Sequence, residues 1–328
     1  MDGFNRRSLM ALALIAGASI VLGAAPTQAQ QLTKLRIAKS VTTSFPFAGL
    51  EIGVEQGIWK SEGIDAEIVS FAGDARMQQA FAAGSIDVGL GSGPGMGYAI
   101  KGVPAHGVAA LANKPENMAL IVGKNSGIKT INDLKGKRIG VTTAGSLTDW
   151  LARKISSEKG WGPDGVEVVP MGDMRTRLAA METGDLPANV TATEQAYEMQ
   201  INGQGTVLMT FGEIVPHFHT HVIFAHDNLI KNNPDLVKRF LRAWFKVADY
   251  MKTDKEGTIK SVARTMKLSD RVIRDAYDIE MGMMSFDGVF DQKALVLISE
   301  SLKELGILDT VPKIEDMYIK GFAPVSIK

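Results

Sequence analysis

Three histidines alternate at His217, His219 and His221. In an extended strand that spacing puts three rings on one face, where such a pattern can hold zinc with Glu213 or Glu194 completing the set. The plainer alternative is a crossing segment whose histidines bond neighbouring backbone. Elsewhere the chemistry is carried by loops that leave a strand and enter a helix. Thr142-Thr143-Ala144-Gly145-Ser146-Leu147-Thr148 offers hydroxyls and bare N–H groups suited to an oxyanion. Its candidates are Thr143, Gly145, Ser146 and Thr148, although Ser146 could serve only as an N-cap. Val41 to Phe47 takes the matching place in the first half, with Thr43, Ser44 and two rings, Phe45 and Phe47, able to cover an apolar or planar ligand. Gly89-Leu90-Gly91-Ser92-Gly93-Pro94-Gly95-Met96-Gly97 fits neither G-x-G-x-x-G nor a P-loop. Ser92 and Gly93 there could let a ligand approach the backbone, or the glycines could serve tight helix–strand packing. Gly73-Asp74 and Thr193-Glu194 open two more helices. Asp74 and Asp173, with Arg76 and Arg175, either cap helices or stand at a crevice rim, and Glu194 either caps its own helix or meets a ligand amine or hydroxyl.

The elements that must position these loops alternate in type. Leu35–Ala38 reads as a strand, 47–57 as a helix, 64–69 as a strand, 75–83 as a helix and 86–90 as a strand, an order that predicts a parallel sheet covered by helices. Near Lys137 the order restarts: strand 138–142, helix 147–159, strand 166–169, helix 174–181. Residues recur with it. Arg36-Ile37 returns as Arg138-Ile139, Trp59 as Trp161, Gly73-Asp74-Ala75-Arg76 as Gly172-Asp173-Met174-Arg175, and Gly84 as Gly184. The repeat of about 100 residues exceeds solenoid periods, so it predicts two similar α/β lobes, each a mostly parallel sheet flanked by helices. The expected lobes are 33–122 and 123–224, joined by a hinge with crossings at 123–127 and 214–224. Helices at 234–252, 255–266, 270–282 and 291–305 are expected to pack 225–328 back on the first lobe.

Composition narrows the function classes. The 36 basic and 36 acidic side chains balance, so no overall field favours nucleic acid. There is no cysteine, which excludes disulfides, thiolate metal sites and Cys nucleophiles. The 16 methionines are scattered and read as core filler. Arg6 and Arg7, an apolar run over Leu9–Leu22 and small residues to Ala29 read as a secretory signal cleaved near Ala29. Asn5-Arg6-Arg7-Ser8-Leu9-Met10 leaves Sec and twin-arginine export both open. The remainder is expected to be a soluble periplasmic protein.

Ile52-Gly53-Val54-Glu55-Gln56-Gly57-Ile58-Trp59, Ala82-Ala83-Gly84-Ser85-Ile86-Asp87-Val88-Gly89 and Leu134-Lys135-Gly136-Lys137-Arg138-Ile139-Gly140-Val141 resemble the extracytoplasmic solute-binding proteins of ABC transporters. The resemblance is to the subfamily serving nitrate, taurine, aliphatic sulfonates and thiamine-pyrimidine precursors. It implies a type II periplasmic-binding-protein fold, whose lobes close on a small organic anion or zwitterion and deliver it to a membrane permease. It also implies ligand contacts from Thr43–Phe47, Gly73-Asp74, Ser92-Gly93, Thr143–Thr148 and Thr193-Glu194, with no cofactor, no catalytic residue and a monomeric chain. The Cys-rich signature of the pyrimidine-synthase relatives is missing. An exported dehydratase-like enzyme on the same clamp, and a zinc receptor through His217, His219 and His221, are the alternatives.

Overall fold

The computed structural model describes residues 32–328; the expected signal peptide lies outside the described residues. From β1 (Thr33–Lys39) the chain forms α1 (Gly49–Glu55), α2 (Ile58–Ser61), β2 (Ile64–Ser70), α3 (Asp74–Ala82), β3 (Val88–Gly91), α4 (Gly97–Ile100) and β4 (Ala105–Ala112). A second group follows: β5 (Met118–Gly123), β6 (Arg138–Val141), α5 (Leu147–Glu158), β7 (Glu167–Pro170), α6 (Met174–Thr183), β8 (Ala188–Ala192), α7 (Thr193–Ile201) and β9 (Gly205–Thr210). The chain returns through β10 (His221–His226) to α8 (Asp227–Asn232), α9 (Pro234–Thr253), α10 (Lys255–Met266), α11 (Asp270–Met283) and α12 (Gln292–Glu304).

Two five-stranded sheets result, β2-β1-β3-β10-β4 and β7-β6-β8-β5-β9, with the same spatial plan. In each, four strands run one way and a single strand, β10 or β5, opposes both its neighbours. The repeated arginines do the same work in both halves. Arg36 donates to the Gly84 carbonyl at 2.8 Å and Arg138 to the Asp185 carbonyl at 2.8 Å, tying the first strand to the turn after the helix.

Sheet membership corrects the expected lobe limits. Residues 118–122, placed in the first lobe by sequence, form β5 of the second sheet, so the chain crosses at 113–117 and not at 123–127. The return crossing spans 211–220, and 221–224 already belongs to the first sheet. A strand buried on both faces reads as a continuous apolar run, which carries no mark of the sheet it joins.

The first-lobe core is set by α9. Asn233 caps it by accepting from the Leu236 N–H, Pro234 opens it, and Phe240, Leu241, Trp244, Val247 and Ala248 fall on one buried face. That face lies on α1, where Gly49 and Gly53 leave no room for a side chain. A Cβ at Gly53 would stand 2.4 Å from Trp59 Nε1 and 2.9 Å from Val247. Trp59 in turn stacks on Phe240 at 5.3 Å and donates to the Leu50 carbonyl at 2.9 Å. The C-terminal helices also reach the second lobe: α11 packs against α7, and Glu304 of α12 accepts from Trp150 Nε1 of α5 at 2.7 Å. Replacing Trp59 by Ala removes a fully buried ring and its hydrogen bond. Urea unfolding of Trp59→Ala should show a loss of about 3–5 kcal/mol.

Candidate functional site

The cavity of interest, about 90 Å³ in volume, lies between the lobes at the carboxyl ends of six strands, the place where open α/β sheets bind ligands. Ser40–Ser44 leaves β1, Phe71 and Ala72 leave β2, and Ser92 leaves β3; Thr142, Gly172–Met174 and Thr191–Ala192 occupy the matching ends of β6, β7 and β8. Both crossings add residues, Asn117 with Met118 and Thr220 with His221. The duplicated halves therefore face each other across one space.

Seven of the fourteen residues singled out by sequence line this cavity: Thr43, Ser44, Phe47, Asp74, Ser92, Ser146 and Thr148. The last two belong to a hydroxyl cluster. Thr142 Oγ1 lies 3.0 Å from Ser146 Oγ and 2.9 Å from Thr148 Oγ1, while Ser146 also caps α5 through the Asp149 N–H. Asp74 is buried and accepts from both the N–H (3.1 Å) and the hydroxyl of Ser92. Burial raises its pKa, and those hydrogen bonds pull the other way. Asp173, its repeat partner, is an exposed cap accepting from the Thr176 N–H at 3.1 Å. The same motif thus supplies a buried carboxyl in one lobe and a helix cap in the other.

The other seven stand elsewhere. Phe45 is a core ring, edge-on to Tyr277 at 6.2 Å. Gly93 gives room to the His219 carbonyl and Ile298, just as Gly89 and Gly97 give room to Phe81 and Leu302, so most of this glycine run serves packing. Gly145 donates its N–H to Asp149 at 2.8 Å and faces Ile307 and Tyr98. Thr193 and Glu194 are buried at the start of α7. Gly73 and Thr143 meet each other across the mouth of the cleft: a Cβ on Gly73, whose φ is +121°, would stand 2.3 Å from Thr143 Cγ2. Beside them, Gln195 Nε2 of the second lobe donates to the Thr43 carbonyl of the first at 3.1 Å.

The histidines do not converge. His217 is exposed and 3.3 Å from Asp291, and His219 is buried with Nε2 accepting from the Asp291 N–H at 2.9 Å. His221, the only one in a strand, lines the cavity edge-on to Phe47 at 4.7 Å. Among the described residues no group of three or more His, Cys, Asp or Glu is placed to hold a metal. Desolvation pushes His221 down to about 3, so its ring is neutral at physiological pH. Its Nε2 lies 3.4 Å from Ser44 Oγ and its Nδ1 has no partner. A Ser–His pair without an acid on Nδ1 lacks the group that orients a general base.

Sequence reasoning missed the strongest group in the cavity. Arg177 of α6 is buried, and its Nη1 donates to Asn189 Oδ1 and the Val190 carbonyl, each at 2.7 Å, while Nε has no partner. Burial lowers its pKa to about 10, with the charge on Asp173 opposing that shift, so the guanidinium remains a cation. The repeat could have exposed it. At the matching offset of 99 from Gly73-Asp74, its counterpart is Gln78, also buried, with neither amide atom partnered.

Gly73→Ala should hold the mouth apart, giving a larger radius of gyration by small-angle scattering. Adding Thr143→Gly should recover the part of the change due to the clash, leaving only the strain of Ala at positive φ. An unchanged radius in Gly73→Ala would show that this contact does not limit the approach of the lobes.

Known proteins share this architecture. A binding protein of Brucella abortus (strain 2308) is 28% identical over 220 residues, 66% of this chain and 67% of its own. A 4-amino-5-hydroxymethyl-2-methylpyrimidine phosphate synthase of Saccharomyces cerevisiae is 24% identical over 211 residues, 61% of each chain. The solved structure of the periplasmic aliphatic sulphonate binding protein SsuA from Escherichia coli matches with a TM-score of 0.71 at 19% identity, covering 88% of this chain and 92% of that one. The two lobes have the periplasmic-binding-protein fold. The family model described as NMT1/THI5 like matches residues 44–257, from the first cleft loop into α9, and the chain belongs to that family.

Proposed function

We propose that the protein is the solute-capturing component of an ABC importer, a monomer that holds a small organic anion between its lobes in the periplasm and delivers it to a membrane permease. The observation that carries this reading is Arg177. A buried guanidinium with an unpartnered Nε at a cavity wall, offset only in part by the exposed carboxylate of Asp173, is a charge whose burial is costly. An anionic ligand would compensate it with charge-assisted hydrogen bonds. Thr142, Ser146 and Thr148 add hydroxyls on the same lobe, and Phe47, Phe71 and Met118 supply apolar wall. The volume allows roughly six to nine water-sized groups, the scale of a small sulfonate or carboxylate. The sulphonate-binding neighbour supports the same ligand class, and the Brucella binding protein supports capture.

The yeast relatives named as synthases favour a second reading, an exported enzyme on this clamp. Incubation with candidate acids followed by mass spectrometry separates the two. New products that disappear on removing Asp74 or His221 would establish turnover, and unchanged acids support capture alone.

A thermal-shift panel of sulfonates, carboxylates, nitrate, amino acids and pyrimidines tests the anion. A solute at 100 times its dissociation constant adds roughly 2.7 kcal/mol. The shift should vanish in Arg177→Gln, which imitates Gln78, and survive in part in Arg177→Lys, which keeps the charge. Full retention in a folded Arg177→Gln protein would remove the basis of this assignment.

A further inference from the structure

Among the described residues lining the cavity, three carry a buried polar side-chain atom without a partner: Arg177 Nε, Asn117 Oδ1 and His221 Nδ1. Buried polar atoms are rarely left unpaired, so each marks a hydrogen bond for an occupant to make. The three differ in kind. Arg177 Nε can only donate, which suits the anionic end of a solute. Asn117 Oδ1, an amide carbonyl, can only accept. His221 is neutral, and its Nδ1 donates or accepts according to the role that Nε2 takes toward Ser44 Oγ, 3.4 Å away.

The acceptor is the most informative of these, because its identity and its place are both fixed. Asn117 Nδ2 donates to Glu280 Oε2 on α11 at 3.1 Å, which turns the carbonyl of the same amide away from that carboxyl. The crossing segment around it is tied on two sides. The Asn113 N–H donates to the Met283 carbonyl at 2.9 Å, and the Asn113 carbonyl accepts from both the N–H (3.2 Å) and the hydroxyl of Thr220 on the return crossing. Oδ1 therefore belongs to a preassembled floor, held by bonds that need no solute.

The other polar groups of the cavity are engaged among themselves. Gln195 bonds Thr43 and Thr191, and Thr142 bonds Ser146 and Thr148. The oxygens of a bare sulfonate, carboxylate or nitrate are acceptors too, and leave Oδ1 unpaired. An O–H or N–H on the solute would meet it. The charge of that group is constrained by the two carboxyls that line the cavity. Asp74 already accepts from Ser92 through both oxygens, and Asp173 is an exposed helix cap beside Arg177. An ammonium would be a second cation in the cavity, with no free buried carboxylate there to pair it. An uncharged donor adds no such burden.

We propose that the solute is a small anion bearing an uncharged hydrogen-bond donor, in the simplest case a hydroxyl, which Asn117 Oδ1 accepts while Arg177 holds the charged end. This rests on the capture reading above and narrows its ligand class, with Asn117 as the residue that sets specificity.

Isothermal titration calorimetry with two matched series tests it: ethanesulfonate, isethionate and taurine, then propanoate, lactate and alanine. In the series whose head group Arg177 accepts, the hydroxylated member should bind about tenfold to about a hundredfold tighter than the bare one, the range set by an unpaired buried acceptor. It should also bind tighter than the ammonium member. Asn117→Leu, which removes the acceptor at similar volume, should erase the difference between hydroxylated and bare members. A merely structural role for Asn117 would weaken every member alike and keep the ratio, and a ratio kept in a folded Asn117→Leu protein overturns the proposal. Should that variant not fold, the ratios in the parent protein decide alone. Equal affinity for bare and hydroxylated members would mean that water meets Oδ1, which overturns the proposal and leaves anion capture standing. An ammonium member that binds tightest overturns it as well. Binding by no member of either series removes the anion reading itself, and the proposal with it.

Discussion

Each sheet takes its one opposing strand from chain that has just crossed over from the other lobe, β5 in one direction and β10 in the other. This pairing governs the rest. A strand locked by ladder bonds on both sides cannot shift register without turning its buried face outward, so both crossings are anchored at each end. What remains between the anchored ends is short, residues 113–117 and 211–220. The floor of the cleft is built from these segments, which is why Asn117 and Thr220 line the cavity although neither belongs to a loop of the βαβ units. Relative movement of the lobes has little chain in which to occur, and the same few residues form the ligand space.

Burial then decides the charge of each group in the cavity. Asp74 is surrounded by donors from Ser92, His221 is stripped of water and neutral, and Arg177 keeps its charge because guanidinium is so weak an acid. The wall formed by the second lobe is hydroxyl-rich and carries the buried Arg177 cation beside the exposed carboxylate of Asp173, whereas the opposite wall is a mixture of rings and hydrogen-bonded polar groups. Neither property belongs to the backbone, which is nearly the same in both halves.

Much of the fold was legible in the sequence because it is written twice. Arg36 and Arg138, the paired Gly-Asp motifs and the strand–helix alternation gave the duplicated α/β plan and the loops at its strand ends. The errors have a common origin in long-range pairing. Residues 118–122 carry the apolar character of a buried strand, but their partners, β8 and β9, lie some seventy to ninety positions onward in sequence. Arg177 sits between exposed Thr176 and half-buried Leu178, and local pattern gives no sign that its side chain turns inward. The glycine run at 89–97 was ambiguous for the opposite reason: absence of a side chain looks the same whether a ligand or another helix needs the room.

The correspondence of Gln78 with Arg177 gives the cleft a direction. The two sheets share one plan, and a fully symmetric chamber between them would accept a solute in either of two equivalent poses. A guanidinium that reaches the cavity from one lobe, where the matching Gln78 of the other does not line it, removes that degeneracy. On the capture reading proposed above, an anion would acquire a head and a tail, its charged end at Arg177 in the second lobe and its remainder against Phe47, Phe71 and Asp74 of the first. A duplicated backbone would thereby be fitted to an object that has no symmetry of its own.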